Sequence, residues 1–78
     1  MIENELLKVF RKQFPKVKDY KNFLKFKMDE VTDWDSIGHV NFMSKIEKRF
    51  KIRFNTNDFF QLISILKIIS YLKKKIKS

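Results

Sequence analysis

One glycine and one proline in 78 residues leave this chain almost without the residues from which tight turns are built. A β-sandwich or barrel needs a turn signal about every 8–12 residues, and Pro15 and Gly38 do not supply that. The expectation is therefore an all-α fold, a few helices joined by connections that use no special backbone geometry. The length allows one domain, residues 1–78. A chain of this size buries only about 60% of the surface exposed by its unfolded form, so the core has to be dense. Nine phenylalanines provide the material and make the chain too apolar for disorder.

Helical spacing recurs along the chain. Ile2, Leu6, Val9, Phe10 and Phe14 form a first stripe, with Glu3 and Glu5 near its start, Lys12 near its end and Pro15 as a stop. From Lys16 to Asp35 the pattern loosens into a long first loop. An undocked segment of about 20 residues is improbable in a small domain, so Phe23, Leu24, Phe26 and Met28 are expected to pin it to the core. A second helix is expected from Asp35 or Ser36, both good N-cap types, to about Phe50. Ile37, Val40, Met43, Ile46 and Phe50 mark its inner face, with Phe42 beside them, and Asn41, Lys45, Lys48 and Arg49 its outer one. The stretch Lys51–Asp58 reads as a connector. Thr56 or Asn57 then caps a short third helix to about Leu62, and Ser64 caps a fourth, whose stripe is Ile65, Ile68, Ile69, Leu72 and Ile76. The result is a small four-helix bundle with three longer helices and one short one.

Several function classes recede at once. Without cysteine there is no disulfide framework and no thiolate metal site. The start of the chain lacks a charged region followed by a long apolar run, which favours a cytoplasmic protein. The most apolar segment, residues 62–72, is broken by Lys67 and is shorter than the roughly 20 residues a membrane-spanning helix needs. One histidine, no Gly-rich loop and no ligand cluster leave little from which to build an active site, so no catalytic residue and no metal ligand is assigned.

The net charge of +9 is unevenly spread. Asp29, Glu30, Asp33 and Asp35 form an acidic island with no base among residues 29–36, while the flanking segments are basic. A basic helical domain prompts a nucleic-acid reading, whose signature is affinity that falls steeply with salt. Lys, Ile, Asn and Phe together make up nearly half the chain, a bias that AT-rich coding produces without selection for charge. Lys73, Lys74, Lys75 and Lys77 crowd the last helix, where cations suit its negative end. The apolar stripe of that helix is expected in the core rather than on an anionic membrane.

The stretch from Trp34 to Phe54, WDSIGHVNFMSKIEKRFKIRF, resembles the acyl carrier protein family. Asp35, Ser36 and Ile37 match that family's Asp-Ser-Leu-like triplet at the start of its second helix. Val40, Phe42, Ile46 and Phe50 match the apolar stripe, Phe54 the connector anchor, and SILKIISYL the last helix, so the likeness covers nearly the whole chain. The resemblance implies that a phosphopantetheinyl transferase attaches 4′-phosphopantetheine from coenzyme A to Ser36. It implies further that an acyl-loading ligase and acyl-transferring or condensing enzymes are the partners, and that the carrier is a monomer that catalyses nothing itself. The wording WDSIGH looks more like stand-alone carriers of specialised pathways. Ser36 read alone is an N-cap, unless Asp35 takes that role and frees the hydroxyl. The acidic island is either loop solvation or a steering patch for a modifying enzyme. Gly38, which costs about 0.5–1 kcal/mol in a helix relative to Ala, either clears space for the arm or is tolerated. His39 is expected in solvent or beside the phosphate, and Trp34 is expected to pack the loop end onto the bundle. Many family members carry acids along the second helix, but here only Glu47 remains after Ser36.

Overall fold

The computed structural model describes residues 2–76. The helices are α1 (Ile2–Gln13), α2 (Ser36–Phe50), α3 (Thr56–Gln61) and α4 (Ile65–Ile76), with a 3₁₀ turn at Phe23–Lys25 in the long first connection. No strand occurs among the described residues, and Lys27 and Ser64 form an isolated antiparallel bridge. The all-α, four-helix expectation and its element order hold.

The core is organised around one ring. Phe10, on the inner face of α1, has six aromatic neighbours at centroid distances of 4.8 to 6.4 Å: Phe14, Tyr20, Phe23, Phe26, Trp34 and Phe42. Five of these lie in the first connection, so the loop is held by aromatic burial. Its backbone is held too. The Met28 N–H donates to the Ile63 carbonyl at 2.9 Å, and the Ile65 N–H donates to the Phe26 carbonyl at 3.0 Å. The loop is therefore stitched to the α3–α4 connection. Leu24 is not the anchor its hydrophobicity suggested, because successive residues of a 3₁₀ turn point about 120° apart; Phe23 faces inward and Leu24 is exposed.

The expected inner face of α2 requires a larger correction. His39, Phe42, Met43 and Ile46 are buried, whereas Ile37 is 75% and Val40 52% exposed. The 37–40–43–46 series steps by threes, and at about 100° per residue each step slips about 60° around the axis. Ile37 therefore lies about 180° from Ile46. The same geometry carries Arg49 from the outer face toward α1, where its guanidinium pairs with Glu5 and holds that carboxyl below its usual range.

α2 ends at Lys51, in the left-handed region at φ 57°. Glu47 then binds the connector, its carboxylate accepting the Phe54 N–H at 2.7 Å, and Phe54 is buried as expected. The cap of α3 is Asn55, one residue before the expected Thr56 and two before Asn57. Asn55 Oδ1 accepts the Asp58 N–H at 2.8 Å and the Asp58 carboxylate accepts the Asn55 N–H at 3.2 Å, a reciprocal capping box. Asp58 also accepts the Tyr71 hydroxyl at 2.8 Å, tying α3 to α4. Burial, reinforced by Asp58, pushes the Tyr71 phenol up to about 12. Ser64 caps α4 through the Lys67 N–H at 3.2 Å, and Ile65, Ile68, Ile69 and Leu72 are buried. Ile76 is exposed, contrary to the stripe, and one turn earlier Lys73 reaches Glu3 of α1 at 3.6 Å. Lys77 lies outside the described residues. No helix among the described residues is long and apolar enough to cross a membrane.

Candidate functional site

The acidic island has a backbone logic. Asp29 and Asp33 sit in the left-handed region at φ 71° and 70°, where Asp is among the few non-glycine residues that settle readily. Between them the chain folds back on itself, the Asp29 N–H donating to the Trp34 carbonyl at 2.8 Å and the Trp34 N–H to the Val31 carbonyl at 3.0 Å. Asp33 also lies 3.7 Å from the Lys16 ammonium. Asp35 is the N-cap of α2, its carboxylate accepting the Gly38 N–H at 2.9 Å. Three of the four acids therefore shape the turn that leads into α2. Asp35→Ala should lower stability by about 1 kcal/mol, the ordinary value of a helix cap, read as a shift of the urea midpoint.

Because Asp35 does the capping, Ser36 is left as the first residue of α2, exposed, with its hydroxyl not needed by the helix. The first amides of a helix lack intrahelical partners and its dipole is positive at that end, so the hydroxyl stands at an electropositive tip beside acidic neighbours. Ser36 borders a cleft of about 460 Å³ with a mainly apolar wall, built by Met28, Val40, Phe59, Phe60 and Ile63.

Gly38 and His39 depart from expectation. A β-carbon at Gly38 would stand 2.1 Å from the Asp33 carbonyl oxygen, so the glycine admits the turn backbone against α2. Room for an attached arm is not the reason, and neither is simple tolerance. His39 is 5% exposed. Its Nδ1 accepts the Trp34 indole N–H at 3.0 Å and its Nε2 lies 2.7 Å from the Phe59 carbonyl. A carbonyl only accepts, so Nε2 carries the proton and the ring is neutral. Burial holds its pKa below the usual value, opposed by the bond to Phe59. With both nitrogens engaged, the ring is no base for Ser36. It latches three pieces together: the loop end at Trp34, α2 and α3.

Trp34 packs the loop end onto the bundle as expected, nearly inaccessible and edge-on to Phe42 at 5.4 Å. The latch was legible in principle, since His39 shares the helical face of Phe42 and Ile46, three and seven residues on. Its partner Phe59 was not, because nothing local joins residues 39 and 59. Among the described residues no cluster of His, Asp and Glu could hold a metal ion. No protein-family model, curated protein or solved structure matches this chain.

Proposed function

We propose that this protein is a phosphopantetheine-dependent carrier, with Ser36 as the attachment residue, presenting acyl or aminoacyl thioesters to partner biosynthetic enzymes. The observation that carries the reading is a serine hydroxyl in solvent at the first position of a long helix whose cap is supplied by another residue. An attachment serine has to be reachable by a modifying enzyme and rigidly placed, and it needs no base of its own. The surroundings suit the group. A phosphodiester there faces the positive end of α2, and the arm brings a terminal thiol to a chain that contains no cysteine. The apolar cleft beside Ser36, walled by Val40, Phe60 and Ile63, offers an acyl chain shelter from water.

The chemistry belongs to the partners. A phosphopantetheinyl transferase makes the phosphoester bond to Ser36 Oγ as the coenzyme A pyrophosphate breaks, and adenosine 3′,5′-bisphosphate leaves. This chain holds the hydroxyl in place. The exposed acids at the site, Asp29 and Glu30, lie where a basic transferase surface would approach.

Incubation with coenzyme A, Mg²⁺ and a broad-specificity transferase, followed by intact-mass measurement, should show a gain of one phosphopantetheine group, absent in Ser36→Ala. No gain, or a gain that persists in the variant, rules the reading out.

A further inference from the structure

Seven large apolar side chains are exposed among the described residues, and four of them, Val40, Phe60, Ile63 and Leu66, meet on one face. Phe60, 75% exposed, and Ile63 line both the cleft beside Ser36 and a second hollow between α3 and α4. The two depressions are therefore continuous. Ile37 extends the patch by one helical turn from Val40. A contiguous exposed apolar surface of this kind marks an interaction site.

Charge selects the occupant. Lys67 and Lys74 line the second hollow and no acid does. We infer that this face docks a partner protein through an acidic, apolar-centred helical segment, with Phe60 as the anchor and Lys67 and Lys74 as its charged rim. A second copy of this chain would bring the same lysines on a molecule of net charge +9. A flat anionic membrane would meet Asp29, whose side of the patch is acidic. A shaped protein surface avoids both conflicts. The inference stands whether or not Ser36 is modified.

The test is selection of a randomised helical-peptide display library against the immobilised protein, then dissociation constants for the enriched peptides. Enriched sequences should be rich in Asp and Glu around an apolar stripe, and should shift the amide resonances of Val40, Phe60, Ile63 and Leu66. Phe60→Ser should weaken binding at least about tenfold, as loss of an aromatic anchor does. The charge-reversed pair Lys67→Glu, Lys74→Glu should weaken it comparably. The control pair Lys12→Glu, Lys18→Glu, equal in charge change but away from this face, should leave the constant within about threefold, since distant exposed charges are largely screened at physiological salt. The proposal is overturned if no acidic peptide is enriched, if Phe60→Ser binds like the parent, or if the control pair weakens binding as much as the rim pair. It is equally overturned if phosphatidylserine vesicles shift these amides and no peptide does.

Discussion

Gly38→Ala should destabilise the protein by about 2 kcal/mol or more, although alanine is the better helix former. Propensity alone argues the opposite, a gain of about 1 kcal/mol inside a helix, so the sign of the result discriminates. The added β-carbon would meet the Asp33 carbonyl oxygen at 2.1 Å, far inside contact distance, and overpacking of this kind costs about 1–3 kcal/mol. Relief by a small shift is blocked from several sides. Asp33 is held at φ 70°, its neighbour Trp34 is bonded through both backbone groups, and the Asp35 carboxylate is engaged with the Gly38 N–H itself. Urea unfolding followed by Trp34 fluorescence gives the answer, because the chain has a single tryptophan at this turn. A variant as stable as the parent would mean that the loop is not pressed against α2.

Acid should loosen the same corner. The neutral His39 ring accepts from Trp34 and donates to Phe59. Protonation places an N–H of the ring against the indole N–H, so one bond becomes a repulsion. The folded-state pKa of His39 is lowered, so its contribution to stability is fully present above the unfolded value of about 6.5 and is lost as pH falls through the folded value. Below 6.5 the unfolded chain takes up one proton more than the folded one, and the slope from this group reaches at most about 1.4 kcal/mol per pH unit. Both hydrogen bonds of the ring are to neutral groups, the Trp34 indole and the Phe59 carbonyl, so neither of its partners is a carboxylate that would compensate an imidazolium. Unfolding free energy measured from pH 7.5 to 5.0 should fall along this curve, and His39→Gln should flatten it over that range. His39→Ala should cost about 3 kcal/mol at neutral pH, since it leaves a buried indole N–H and a carbonyl without partners, each worth about 1–3 kcal/mol. A wild-type profile that is flat between 7.5 and 5.0 would remove the latch.

The two effects share a place. Gly38 lets the turn approach, Asp35 starts the helix, and His39 ties the turn to α3, so the Ser36 hydroxyl is positioned by three neighbours that do no chemistry. Placement of an exposed serine by its surroundings is what the proposed attachment role requires, and the stability of this corner and the proposed modification of Ser36 are separate measurements.

The identity and order of the helices were written in the chain itself. Stripes at spacings of three and four, Pro15 after Phe14, and the near absence of glycine left little room for anything except helices. The start of α2 at Asp35 and Ser36 was likewise legible, because a helix start is a local event with a local signature. Which face of α2 turns inward was decided elsewhere. Two apolar series run along that helix, and the one chosen carries Phe42, which closes on Phe10 and Trp34 at 5.7 and 5.4 Å. A ring cluster assembled from α1, the loop and α2 buries more apolar surface than Ile37 and Val40 could, so the helix rolls to suit the rings and leaves those two outside. The roles of Gly38 and His39 follow from the same assembly, since one answers a carbonyl five residues back and the other a carbonyl twenty residues ahead. Local spacing determines which segments are helices; only burial against distant partners determines what each helix turns toward them.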